Sequence, residues 1–441
     1  MMVVASVNDF LCVHALDVAA INRDKILATF AEEMATGLSG EPSSLAMIPS
    51  FISIDREVNT DQPVVVLDAG GTNLRAAVVS IDGSGDAHIG EYSKRAMPGT
   101  EGELSRDEFF GVLADFTLPW LGQSETIGFC FSYSAEVTPE GDARLLYWSK
   151  QIEAPEVVNT MIGSGLRESL AKRGYQRRVV ILNDTVATLL AGKSMGMSRG
   201  YSAYVGFILG TGTNTAYVEN HRNITKRPEL NPAGSMAINV ESGGFNKISQ
   251  SEFDQLLDQR TIDPGRYTFE KMIAGAYLGS LGTIVMFEAL EAGLFSKSAA
   301  AAIAAREGGA GREWRPFSNK ELDDFCGNAP EADNPFLDAA FSIVDREVVK
   351  ALCTPIYERA ATLAAINIAS AVIKTGAGHD PAHPVCVNVD GSTYYKTRTA
   401  DFKGRVQAEL KALLEKRALA YELVFVADSP VIGAAVAGLM L

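Results

Sequence analysis

Val64-Val65-Val66-Leu67-Asp68-Ala69-Gly70-Gly71-Thr72-Asn73-Leu74-Arg75-Ala76-Ala77-Val78-Val79 reads as a buried strand, a turn of small residues and a second strand. The paired glycines let the chain turn sharply and leave amide N–H groups unshielded, which suits phosphate oxygens. Asp68, at the carboxyl end of the first strand, is placed to hold a cation or its water. The same pattern also closes ordinary hairpins. On its own, this turn leaves both readings open.

A second element repeats the first. Val205-Gly206-Phe207-Ile208-Leu209 runs into Gly210-Thr211-Gly212-Thr213-Asn214 and out through Thr215-Ala216-Tyr217-Val218-Glu219. Two such turns facing each other can grip a polyphosphate from both sides. Between them, Thr126–Phe131 leads into Ser132, and Arg178–Leu182 leads into Asn183-Asp184-Thr185. Ligands of α/β sheets collect at the carboxyl ends of strands, so these placements point to one shared cleft.

At 441 residues the chain exceeds what one core usually supports, and two domains are expected. A net charge of −15 argues against a nucleic-acid partner, which needs a basic footprint. The five cysteines are scattered without metal spacing and mostly lie in apolar surroundings, as reduced, buried thiols do. No basic region precedes the apolar N-terminus, and long apolar stretches carry polar breaks. A cytoplasmic protein with no membrane partner, monomeric or homodimeric, is the expectation. Phe269–Leu290 reads as one long apolar helix, and 336–374 as helical but broken at Pro355.

With these motifs in order, the chain resembles the hexokinase family (the eukaryotic-type hexokinase and glucokinase group) from about Val64 onward. Leu67–Arg75 and Gly210–Glu219 resemble its two phosphate motifs. Gly128-Phe129-Cys130-Phe131-Ser132-Tyr133, continuing to Trp148-Ser149-Lys150, resembles the sugar signature, and Leu182-Asn183-Asp184-Thr185-Val186 the segment with the catalytic aspartate. Ile238-Asn239-Val240-Glu241 and Phe269-Glu270-Lys271-Met272-Ile273 are similar to the two sugar-holding glutamate segments, and Val389-Asp390-Gly391-Ser392 to the one near adenosine.

The resemblance implies an α/β fold of two ribonuclease-H-like (actin-like) domains, with mixed sheets flanked by helices and the active site in the cleft between them. The expected small domain is 62–185 plus 430–441, and the large domain 1–61 plus 186–429. It implies a hexose and a nucleotide as ligands, ATP as donor, Mg²⁺ as cation, and transfer to the 6-hydroxyl of a hexose, glucose first. Asp184 becomes the general base, although an acid at a helix start also serves as an N-cap. Ser132, Ser149, Lys150, Asn183, Asn214, Glu241 and Glu270 become sugar contacts, with Lys150 also neutralising charge on the transferred group. Asp68 arranges Mg²⁺ through water. Gly70, Gly71, Thr72, Asn73, Gly210, Thr211, Gly212 and Thr213 receive the phosphates, and Gly391 and Ser392 lie by the nucleotide. Arg75 is either a phosphate ligand or one half of an ion pair.

The chain departs from the family in several places. Ser149 stands for Thr, Tyr133-Ser134 replaces an aromatic-Pro pair, and Ser242 replaces a Trp after Glu241. Asp428-Ser429-Pro430-Val431-Ile432-Gly433-Ala434-Ala435 replaces a glycine- and lysine-rich loop, with Ser429 expected to cap the helix and Pro430 to start it. A kinase for mannose, fructose or an amino sugar, and a non-catalytic sugar sensor, are the competing functions.

Overall fold

Strands Val64–Gly70 and Thr126–Phe131 are apolar without alternation because both of their faces are covered. The strand Ala87–Ala96 is largely exposed and lies at the sheet edge. The computed structural model describes residues 2–14, 16, 18–148, 152–308 and 313–441. Ser149 and Lys150 therefore lie outside the described residues.

The first sheet has five strands, in the order Ala87–Ala96, Asn73–Ile81, Val64–Gly70, Thr126–Phe131, Arg178–Leu182. Its first two pairings are antiparallel and its last two parallel. The second sheet repeats that scheme in Ser235–Asn239, Thr213–Asn220, Ala203–Leu209, Val385–Asp390 and Tyr421–Val424, with the two-residue strand Ile48–Pro49 added at one edge. Two halves of one topology are present, as the repeated strand–turn–strand elements predict. This is the expected α/β architecture of two mixed sheets flanked by helices.

Helices Asp184–Gly196 and Ser429–Leu439 pack on each other between the sheets. Their apolar cluster joins Val186 and Leu190 to Val431 and Val436, and reaches Val66 of the first sheet and Ala216 of the second. Backbones meet closely here. A side chain at Gly433 would fall 1.9 Å from the Ala187 carbonyl oxygen, and one at Gly128 the same distance from that of Ala434. Each half also has a core of its own, around Phe109, Phe129 and Leu166 in the first and around Phe245, Leu281 and Ile366 in the second.

Two helix expectations are corrected. Ile343–Thr375 is one 33-residue helix that runs through Pro355. A proline inside a helix costs about 3 kcal/mol. Fully burying Leu352, Cys353, Ile356 and Tyr357 around it is worth more, at roughly 1.5–3 kcal/mol for each large apolar side chain. This helix is long and apolar enough to cross a membrane, yet 89% of its most apolar window is buried inside the protein. The segment Phe269–Leu290 is in turn not one helix but two, Thr268–Ile273 and Gly275–Glu291, separated at the extended Ala274. The break frees the N–H groups of Gly275 and Ala276 to donate to the carbonyls of Gly210 and Thr211, at 2.9 and 3.2 Å.

Candidate active site

The carboxyl ends of strands from both sheets converge on a cavity of about 350 Å³ lined by Asp68, Gly70, Arg75, Ser132, Asp184, Asp390, Asp428 and Pro430. Asp68 and Arg75 are directly opposed in the hairpin register, and Arg75 Nη1 lies 3.7 Å from Asp68 Oδ2. Arg75 is thus paired with Asp68 and also lines the cavity, so the two roles left open for it are compatible. Cys130 lies between Asp68 and Asp184; burial, and then both of those charges, push its thiol up. It is a buried free thiol, as are Cys326, Cys353 and Cys386, while Cys12 is exposed.

The first turn is anchored through its carbonyls. Tyr133 donates its hydroxyl hydrogen to Gly71 O, and Met97 N–H donates to Thr72 O at 2.9 Å. Gly71 has φ +74°, the left-handed conformation that the glycine pair was expected to supply. N–H groups and the side chains of Thr72 and Asn73 are what this turn can offer an anion.

At the start of its helix, Asn183 is the N-cap, accepting from Thr185 N–H at 2.8 Å. Asp184 is the first helical residue, so capping does not consume its carboxylate. Thr185 Oγ1 donates to Asp184 Oδ1 at 3.3 Å, and the carboxylate is half-buried at the cavity. With Asn183 Oδ1 committed to the cap, its amide nitrogen is the group that can serve a sugar hydroxyl.

Glu241 and Glu270 come from different elements of the second half. Glu241 Oε1 accepts from Asn239 Nδ2 at 2.7 Å and from Asn214 Nδ2 at 3.2 Å. Glu241 has φ +57°, and the next residue, Ser242, is held in a buried set with Thr215 and Asn367 by bonds of 2.9–3.1 Å. Ser242, at the position of the missing Trp, is therefore a buried hydrogen-bonding residue. Glu270 Oε2 accepts Thr213 N–H at 2.8 Å, which ties this carboxylate to the second turn. Burial pushes Glu270 up to about 7, and the Glu241 charge adds to the effect. Burial also raises Glu241, with the Asp184 charge contributing, so these three acids share one electrostatic environment.

The second turn is held differently. Gly210 O accepts from Thr393 Oγ1 at 2.7 Å as well as from Gly275 N–H, and Gly391 packs against Leu209 and Gly210. Ser392 is exposed at the start of the short helix Ser392–Lys396. Thr211 is exposed and Gly212 half-buried, its α-carbon side facing the Glu270 carboxylate.

Asp390 and Asp428 line the cavity but escaped the sequence reading as site residues. Asp390 is the last residue of a buried strand and Asp68 lies two residues before the end of another, and that shared signal could have found it. Burial raises its carboxyl, and the Asp184 and Asp428 charges add to this. The expected cap at Ser429 is corrected. Asp428 occupies the N-cap position with no side-chain cap bond, while Ser429 is the first helical residue and Pro430 the second. Ser429 Oγ instead donates to Val426 O at 2.6 Å and accepts from Asn388 Nδ2 at 2.9 Å. Distant Asn388 draws Ser429 inward, so local capping preference does not decide the geometry.

Four aspartates against one arginine make the cavity rich in hard oxygen donors, which fits Mg²⁺. Among the described residues no group of three or more His, Cys, Asp or Glu is arranged to hold a metal ion by itself. The fit is to a cation that arrives with phosphate oxygens and is met by Asp68.

Two family models described as hexokinase match the chain, over residues 11–194 and 204–440. The chain is 31% identical to human Hexokinase-3 over 396 residues, 85% of this chain but 41% of that protein. It is 28% identical to Hexokinase-7 of Oryza sativa subsp. japonica over 418 residues, covering 90% and 89% of the two chains. The solved hexokinase from Schistosoma mansoni complexed with glucose superposes with a TM-score of 0.80 at 24% identity, over 99% of each chain. At that identity the superposition speaks for the fold.

Proposed function

The chain belongs to the hexokinase family, and from that premise we propose that it transfers the terminal phosphoryl group of ATP to the 6-hydroxyl of a hexose, glucose first. The observation that carries this reading is the cavity where Asp68, Arg75, Ser132 and Asp184 of one half meet Asp390 and Asp428 of the other. Asp184 accepts the proton of the sugar hydroxyl as its oxygen attacks the terminal phosphorus and the bond to the leaving nucleoside diphosphate breaks. Asn183, Asn214, Glu241 and Glu270 orient the sugar by pairing its other hydroxyls, and Ser132, Ser149 and Lys150 complete that shell. The turns at Gly70–Asn73 and Gly210–Thr213 receive the phosphates, and Gly391 and Ser392 flank the nucleotide. Mg²⁺, when bound near Asp68, neutralises phosphate charge at the reacting centre. Closing the cleft excludes water that would otherwise accept the phosphoryl group.

The acidic composition and reduced thiols favour a cytoplasmic enzyme, acting as a monomer or homodimer. The deciding experiment is turnover across glucose, mannose, fructose and amino sugars with ATP, ADP and pyrophosphate as donors. Formation of glucose 6-phosphate from ATP is the expected result. A protein that binds glucose, seen in tryptophan fluorescence, but phosphorylates no sugar with any donor is a sensor instead.

A further inference from the structure

Tyr147 ends the strand Ala143–Tyr147, whose Ala143 and Leu145 lie in the core of the first half. Tyr267 precedes the helix Thr268–Ile273, whose Phe269 and Met272 lie in the core of the second. The two tyrosines are 120 residues apart in sequence, yet their hydroxyl oxygens are 2.6 Å apart. Arg266 Nη2 donates to the Tyr147 hydroxyl at 3.0 Å. Its guanidinium carbon also stands 5.2 and 5.4 Å from the ring centroids of Tyr147 and Tyr267, within cation–π range of both. A phenol has one proton and two lone pairs, so Tyr147 can accept from Arg266 and still exchange a bond with Tyr267.

The location gives this bridge its consequence. Tyr267 is three residues before Glu270, and Tyr147 two residues before Ser149 of the sugar signature. Tyr267 has φ +52°, a conformation an aromatic side chain adopts only when its surroundings hold it there. Burial and the Tyr147 hydroxyl push its phenol up, with the Glu241 charge a smaller contributor. We propose that Tyr147, Tyr267 and Arg266 are positioning residues, forming a clasp across the cleft that sets sugar affinity by holding the two halves together. The proposal deepens the hexokinase reading and rests on it. The clasp touches no reacting atom, so it acts on the sugar's KM rather than on the chemical step.

The test uses Tyr147→Phe, Tyr267→Phe and the double variant, which keep the rings and remove only hydroxyls. Each single change is expected to raise KM for glucose about fivefold, the loss of one ordinary hydrogen bond. Turnover at saturating sugar should stay within about twofold, and the double variant should match the worse single one because both remove the same bond. Amide exchange of the ligand-free protein over 143–148 and 262–268 should be faster in the double variant. An unchanged KM in the singles, KM effects that multiply in the double, or a fall in turnover with KM unmoved each overturns the clasp. A wild-type protein that phosphorylates no sugar overturns the hexokinase reading instead. The exchange measurement then decides the clasp by itself, and unaltered exchange would sink it.

Discussion

The two halves share a strand order but not a distribution of charge. In the first, the opening strand carries Asp68 near its carboxyl end, the fourth leads to Ser132, and the fifth leads to Asp184 at the start of a helix. In the second, the opening strand ends beside Gly210 with no acid, the fourth ends on Asp390, and the fifth leads to Asp428 just before a helix. Five of these six strand ends line the cavity, and the one that does not is the glycine turn. That turn is instead strapped through its carbonyls, which accept from Gly275 N–H, Ala276 N–H and the Thr393 hydroxyl, with Glu270 reaching Thr213. A duplicated scaffold therefore offers equivalent positions. Chemistry is assigned by which of them carries a carboxylate and how that carboxylate is held.

The comparison breaks most readily at its two helix-start aspartates. Asp184→Ala should lower turnover by about 10²–10⁴, the usual worth of a positioned base, while glucose binding followed by tryptophan fluorescence persists. Asp428→Asn, at the equivalent position, should lose far less. Asn tolerates the φ of +51° there, so folding is not the confounder. Equal losses would mean that the halves share the proton transfer.

Next in size is a backbone effect confined to the second half. Gly391 has φ +112°, and a β-carbon there would sit 2.3 Å from the Leu209 carbonyl. Gly391→Ala should therefore cost about 1–3 kcal/mol in denaturant unfolding. A third test concerns Glu270, the acid tied to the second turn and proposed to hold the sugar. Ionised Glu270 accepts from hydroxyls with both oxygens and more strongly than the protonated acid, so KM for glucose should fall as pH rises through about 7, and Glu270→Gln should flatten that dependence. Stability of the free protein runs the other way. A raised carboxyl binds its proton more tightly when folded, so this contribution is full below about 4.5 and lost as pH rises through about 7. The smallest effect belongs to Gly70→Ala in the first half, where the nearest atom to the new carbon is Asp68 Oδ1 at 3.4 Å. A change within about 0.5 kcal/mol is expected; a cost matching that of Gly391 would erase the distinction between the open first turn and the close packing on the second.

The strands, both turns and the order of the motifs were legible because period, glycine placement and strand-end acids are local signals. Asp184 was legible as an acid after a strand, but its freedom from capping depends on Asn183 taking that task. Arg75 was ambiguous until the hairpin register set it opposite Asp68. Pro355 misled, because local preference cannot see the buried side chains that hold its helix together. The expected single helix at Phe269–Leu290 misled for the same reason, since the partners that make a break favourable are carbonyls some 65 residues earlier in the chain.

What the sequence determined by itself is that two strand–glycine-turn–strand units and an aspartate following a strand belong to one duplicated α/β architecture. Those features are encoded within a few residues each, where backbone sterics and side-chain chemistry act. What only the tertiary structure decided is which carboxylates share a cavity, which acid burial pushes up, and that Tyr147 meets Tyr267 across the cleft. Each of these depends on desolvation or on contact between segments distant in the chain, and neither exists until the two halves have packed on the helices between them.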